Sequence, residues 1–417
     1  MRFTHKLRQW IDARYPATQT FEKHLSKYYA PKNLNFWWLF GVLSMLVLVN
    51  QLITGIWLAM MYTPSIEGAF ASIEGYIMRD VSMGWLIRNL HAVGASALFI
   101  VIYLHMFRGL LYGSYKKPRE LVWLVGMGLF VCLMAEGFFG YVLPWGNMSY
   151  WGAQVIMSLP EAIPHFGDSV ASWIRGDFVL SGITLNRMFA LHVIAIPLLL
   201  VVFVFIHLVS LHHVGSNNPD GIEIRKQIDN NGIPLDGIPL HPYYTTHHLV
   251  GIVVFLIIFF AFVFFYPDGG GYILEPANYE PANPLNTPSH IAPVWYFTPF
   301  YAILLAIPHK LGGVIALISS IAIFFALPWL DKSPVKSMRY KGILSKIWLI
   351  IFVISFLTLG VIGATQLDHA LLPFISNQHL AQIMTFFYFL YFLLMPFYTA
   401  IEDFRVPPDR VTRGHQS

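Results

Sequence analysis

Cysteine is almost absent: Cys132 is alone among 417 residues. One thiol cannot close an internal disulfide, nor supply the four thiolates of an iron–sulfur cluster. Cys132 therefore reads as a small core residue. Charge is scarce as well, at 12% of residues, about half the usual share. The formal net charge is only +4, and no basic patch stands apart from the loops that flank apolar segments, so nucleic-acid binding is not expected. A cleavable leader is not expected either. Residues 1–35 are polar and charged, and the first long apolar run begins near Trp37, which is expected to double as the insertion signal. No internal repeat of roughly 20–50 residues is visible.

What fills the space left by these absences is apolar surface. Hydrophobic residues make up 56% of the chain, and the mean hydropathy is +0.58. A soluble domain of this length cannot hide that much, so the expected class is an all-α polytopic membrane protein. Eight apolar runs are long enough to span: Trp37–Tyr62, Gly84–Leu111, Leu121–Leu143, Leu185–His212, Leu249–Tyr266, Leu311–Leu330, Ile347–Ala364 and Leu380–Ile401. The basic residues then divide 21 to 5 between the two sides, with the five being Arg79, Arg88, Arg175, Arg187 and Lys310. A bias this consistent places both termini in the cytoplasm or its topological equivalent. The long connections 144–184 and 267–310 fall on the outer side; both are rich in aromatics, and loops of such length are usually functional.

The second run, RNLHAVGASALFIVIYLHMFR, carries His91 and His105, fourteen residues apart. Fourteen helical residues advance about 1400°, within roughly 40° of whole turns, and rise about 21 Å. Both imidazoles thus face one side of one helix, near opposite membrane faces. Histidines at bilayer depth are costly and point to function. The fourth run supplies His192 and His207, fifteen residues apart, which leaves about a 60° offset on a straight helix. Pro197 lies between them and removes a backbone hydrogen bond, so a kink or bulge can absorb the extra residue. The two helices run in the same direction. His91 therefore belongs with His192 near the outer face and His105 with His207 toward the inner face, two sites about 20 Å apart.

Paired imidazoles with no thiolate or carboxylate beside them suit axial ligation of haem iron, whereas structural zinc needs four ligands. Gly41 and Gly55 on the first run, and Gly126 and Gly140 on the third, are again fourteen apart. Small residues serve close helix packing, but matched spacing on two neighbouring helices favours room for two flat macrocycles. Arg88 and Arg108 stand three residues outside His91 and His105, placed either to meet anionic propionates or to anchor at the interface.

Across all eight runs the chain closely resembles the cytochrome b family, the membrane subunit of the cytochrome bc complex. The resemblance rests on RNLHAVGAS, HMFRGLLYGSY, GYVLPWGNMSYWGA, LNRMFALH, GSNNPDGI, HPYYTTHH, ANPLNTPSHIAPVWYF and AILLAIPHKLGGV. It implies two b-type haems, low-potential on His91 and His192 and high-potential on His105 and His207. It also implies a Q-cycle, in which ubiquinol is oxidised at an outer site and a quinone is reduced at an inner one, building a transmembrane potential. Implied partners are a Rieske iron–sulfur protein, a cytochrome c-type haem subunit, membrane lipids and a second copy of the complex, in a bacterial inner membrane. The implied arrangement is a cytoplasmic segment 1–36, a di-haem four-helix bundle with its outer loop over 37–212, and a remainder 213–417 bearing the second outer loop. Phe138, Tyr141, Gly152 and Pro293-Val294-Trp295-Tyr296 would line the outer quinol pocket, and His212 would serve the inner one.

Three departures from the family pattern stand out. Mitochondrial members carry Glu where this chain has Val294, and that Glu is proposed to take a quinol proton; Glu136 is the candidate substitute here, the alternative being a polar residue that only lines the pocket. The Lys-Asp pair after HPYYT is His247-His248, and imidazole titrates nearer neutrality. The fifteen-residue histidine spacing resembles chloroplast-type and some bacterial members, and with the first departure favours a proteobacterial enzyme. Two rival classes share some of these features. A di-haem anchor serving a dehydrogenase would share the histidines but not the long outer loops, and a transporter gives no reason for matched glycines.

Overall fold

In a computed structural model, residues 2–22, 27–365 and 370–412 are described, with side chains from residue 5 onward. Lys23 and Arg413, two of the inner-side charges, lie outside that range. Among the described residues eight helices are long and apolar enough to cross a membrane: α1 (Phe36–Ala59), α2 (Gly84–Tyr112), α3 (Glu120–Val142), α4 (Gly182–Val214), α5 (Leu240–Phe265), α6 (Lys310–Leu330), α7 (Ile343–Gly363) and α8 (Asn377–Ile401). Each coincides with an expected run.

One boundary and one helix interior depart from a regular reading for physical reasons. Helix α5 begins at Leu240 rather than Leu249, with HPYYTTHH forming its first turns. That stretch is too polar to read as buried in lipid, but tyrosine and histidine belong at the membrane interface, where a spanning helix can begin. Helix α4 contains a π-helical segment, Leu191–Ala195, directly before Pro197. A π-turn takes up an extra residue. Here it surrounds His192 and absorbs the offset that fifteen-residue spacing creates.

Helix α1 packs on α2 and α3 on α4, while the π-segment of α4 touches α1 and closes the group of four. Helix α5 lies against α2 and α1, and α6 touches α3. A short helix, Thr298–Ala306, sits among α6, α7 and α8 and is buried at Phe300, Ala302 and Ile303. The outward faces of α4 and α5 remain apolar, with Phe205, Ile257 and Phe265 exposed. Lipid tails solvate such faces where water would not.

The two long connections are not loose tethers. The first contains the helices Asn147–Met157 and Gly167–Arg175. It is joined to the second by backbone hydrogen bonds from Asn147 N to Glu280 O (2.9 Å) and Ala282 N to Trp145 O (3.0 Å). The Ser149 amide also donates to Asn278 Oδ1 at 2.8 Å. At the opposite end, β1 (Tyr29–Pro31) pairs antiparallel with β2 (Gly237–Pro239). Beside this sheet Asp236 holds Lys32 at 2.8 Å and Arg410 at 2.7 Å, and the Arg410 hydrogen bond draws its carboxyl well below the usual range. Segments before α1 and after α8 therefore meet on one face, as an even number of spans requires.

Candidate functional site

The four helices bring the histidines together in the expected pairs. The His91 and His192 rings lie 6.1 Å apart, centre to centre, and those of His105 and His207 6.4 Å apart. Imidazole nitrogens bind metals at roughly 2 Å, so each gap accepts one metal atom between the two rings. Each of the four glycines faces one of these histidines. A Cβ at Gly55 would stand 3.1 Å from the His91 ring, at Gly41 3.2 Å from His105 and at Gly126 3.2 Å from His207. At Gly140 it would collide with His192 outright. Gly140 has room for hydrogen alone, and at the other three a methyl would press on the ring, so the spacing of the glycines follows that of the histidines.

The outer pair is held from behind. Thr54 donates its hydroxyl proton to Asn50 O at 2.6 Å, which leaves its oxygen to accept from His91 Nδ1 at 2.9 Å. His192 Nδ1 lies 3.1 Å from the Glu136 carbonyl oxygen and 3.0 Å from Glu136 Oε1. Bonds at both Nδ1 atoms direct the lone pairs of the Nε2 atoms into the gap, the arrangement that metal-binding histidines require. Gln51 adds a bond to His91 O at 3.0 Å. At the inner pair, by contrast, His105 Nδ1 is buried without a hydrogen-bond partner.

A cavity of about 470 Å³ opens around the outer pair, with Gly55, Arg88, Glu136, Gly140 and Tyr296 in its walls. Arg88 is buried and reaches Glu74 at 3.3 Å. Arg108, near the inner pair, lies 5.4 Å over the Trp38 ring, and its Nε is buried without a partner. A second cavity of about 220 Å³ lies under the outer loops, lined by Phe138, Tyr141, Gly152, Pro293, Val294 and Phe297 among others. Tyr141 and Val294 line both cavities and form the wall between them.

The remaining expected residues fall into place around these spaces. Glu136 belongs to the larger cavity with its carboxylate on His192. Trp295 donates to Ser96 Oγ at 3.1 Å, and Tyr296 stacks on Phe99 at 3.9 Å, so both brace the short segment that Pro293 and Val294 present. His212 sits at the far end of α4, 4.8 Å from the Tyr28 ring, and His248 stacks on Tyr244. Sequence reading passed over Thr54 and Glu275. The first was signalled by the polar patch Asn50, Gln51 and Thr54 in an otherwise apolar span; the second had no local signal.

Comparison with known proteins identifies the family. Residues 25–215 match the family described as "Cytochrome b/b6/petB", and residues 281–389 match "Cytochrome b(C-terminal)/b6/petD". "Cytochrome b" of Allochromatium vinosum is 56% identical over 411 residues, covering 97% of each chain. The chain belongs to the cytochrome b family. "Cytochrome b" of Rickettsia bellii is 49% identical over 387 residues, 93% of this chain and 92% of that one. A chain of a solved "Hyperthermophilic respiratory Complex III" superposes with a TM-score of 0.86 at 37% identity, covering 94% of this chain and 99% of that chain. Members of the cytochrome b family bind haem, and the residues here fit that group. Both histidine pairs have the right separation, the glycines clear the rings, and among the described residues no cluster of three or more His, Cys, Asp or Glu competes as a metal site.

Proposed function

We propose that this cytochrome b is the quinol-oxidising, di-haem subunit of a respiratory cytochrome bc complex. The observation that carries the reading is the shared wall: a facing histidine pair and an apolar pocket are separated by little more than Tyr141 and Val294. His91 and His192 would hold one b-type haem and His105 and His207 the other. When bound, each haem supplies a one-electron carrier at its iron. The chain's own residues do the rest. Thr54 and the Glu136 carbonyl orient the outer ligands. Gly41, Gly55, Gly126 and Gly140 keep the ring planes clear. Arg88 and Arg108 offer positive charge to the propionates.

Ubiquinol fits the second cavity, where Phe138, Gly152 and Pro293 exclude water and give an apolar ring an apolar lining. One electron would pass inward across the wall and the other to a Rieske iron–sulfur protein, which docks over the joined outer loops; a cytochrome c-type haem subunit would receive it next. Quinone reduction is assigned to the opposite end, near His212 and the start of α5. Glu136, expected from sequence as a proton acceptor, contacts His192, and that contact supports a role in positioning the ligand. A bacterial inner membrane, with both termini cytoplasmic and lipids around α4 and α5, agrees with the loop charges, and pairing of two copies follows the family.

The purified complex tests this reading. Quinol should reduce two b-type components and drive reduction of cytochrome c, and inhibitors of outer-site quinol oxidation should block both. Two b-type signals without quinol-driven cytochrome c reduction would instead favour a di-haem anchor, and no b-type signal would overturn both.

A further inference from the structure

Behind the wall shared by the two cavities stands a carboxylate that the scheme above leaves idle. Glu275 belongs to the connection 267–310, outside the spans, and its Oε2 accepts the hydroxyl proton of Tyr141. The two are 134 residues apart in sequence. The smaller cavity is almost wholly apolar, and of its lining residues only Tyr141 and Tyr301 carry hydroxyls. Tyr301 directs its hydroxyl away, onto Ile291 O at 3.3 Å. Among the described residues, Tyr141 is therefore the one side chain that lines the pocket and is bonded beyond it to a carboxylate.

Val294 cannot accept a proton, yet a quinol that loses two electrons must also lose two protons. We propose that Tyr141 and Glu275 form the proton exit of the smaller cavity. As a quinol hydroxyl donates to Tyr141 O, the Tyr141 phenolic proton passes to the Glu275 carboxylate, which releases it outward. Tyr141 gains and loses one proton and stays neutral. Glu275 goes from carboxylate to acid and back. The electrons leave to the two acceptors of the preceding reading, the haem iron and the iron–sulfur protein, on which this inference rests.

Burial pushes the Glu275 carboxyl up to about 6, against the opposing effect of the Tyr141 hydrogen bond. This puts it near operating pH, where a proton acceptor works best. The titratable groups facing it are Tyr141 from α3 and Tyr296 from the Pro293–Tyr296 segment. Both tyrosines are neutral in this pH range, so a profile near pH 6 belongs to Glu275.

The test uses the whole complex with Glu275→Gln, Glu275→Asp and Tyr141→Phe, and reads haem spectra, quinol oxidation against pH, and the infrared carboxyl band of quinol-free enzyme. Glutamine still accepts the Tyr141 hydrogen bond but cannot take the proton. The expected wild-type rate falls as pH drops through about 6, where the acid form can no longer accept. Glu275→Gln should cut the maximal rate by roughly 10²-fold, the usual scale of general-base catalysis. It should also erase the inflection and remove an infrared band titrating near pH 6, with both b-type signals intact. Glu275→Asp should restore part of the rate with the inflection displaced. A Glu275→Gln complex with wild-type rate and profile, or with a lower rate and the inflection unmoved, would overturn the inference while leaving quinol oxidation standing. Wild-type enzyme that oxidises no quinol would overturn both.

Discussion

The two histidine pairs come from the same two helices, face the same kind of glycine and have nearly equal separations, yet their surroundings differ. The outer pair is buttressed at both Nδ1 atoms, by Thr54 and by Glu136, and opens onto a cavity that shares a wall with the candidate substrate pocket. The inner pair has His105 Nδ1 and Arg108 Nε buried without partners. On the proposed di-haem reading, repetition of the ligand geometry would give two similar carriers, and the difference in what stands behind the ligands would make them unequal. Hydrogen bonds behind a metal-bound histidine raise its basicity and fix its ring, so the outer site is the one whose properties the protein sets most firmly.

Removing a ligand breaks the comparison most completely. His192→Leu should abolish the outer b-type component and quinol oxidation together, while His105→Leu should remove the inner component and leave the outer one in the spectrum. Next in size are the glycines. Gly140→Ala drives a methyl into the His192 ring, whereas Gly126→Ala meets His207 at 3.2 Å and asks for a small shift. Overpacking of this kind costs about 1–3 kcal/mol, so haem content and Tm should fall more for Gly140→Ala. Thr54→Val keeps the shape but removes the acceptor behind His91. Loss of such a partner typically weakens metal binding about 10–100-fold; the outer signal alone should decline in a haem-retention titration. The smallest effect belongs to the inner face. Asp236→Asn loosens its grip on Lys32 and Arg410, worth about 1 kcal/mol. It should speed proteolysis of the tail around Arg410 with both b-type signals unchanged.

Spacing along single helices was legible from sequence, because helical periodicity converts it directly into direction and depth. That covers the eight spans and the facing of the two histidine pairs; the glycines were read as room for macrocycles, and in the structure they face the histidine rings. The long outer loops were legible as folded segments rather than tethers, and they are bonded to each other. What escaped depends on local departures from periodicity or on chain segments meeting across distance. The π-segment Leu191–Ala195 carries out the adjustment expected near Pro197, but its position around His192 cannot be read from a regular repeat. The interfacial start of α5 was missed because HPYYTTHH is polar. Glu136 was expected beside the quinol pocket, but it lines the larger cavity with its carboxylate on His192, a contact that depends on how α4 lies against α3. Glu275 reaches Tyr141 only because the two outer loops are bonded together, and no residue near it in sequence announces that contact.

The decisive measurement is a redox titration of the b-type absorbance in membranes carrying wild type, His192→Leu and His105→Leu. Wild type should resolve into two components of different midpoint, with the first variant losing the lower one and the second losing the higher one. A single component in wild type, or the same component lost in both variants, would contradict two stacked carriers built from these four histidines.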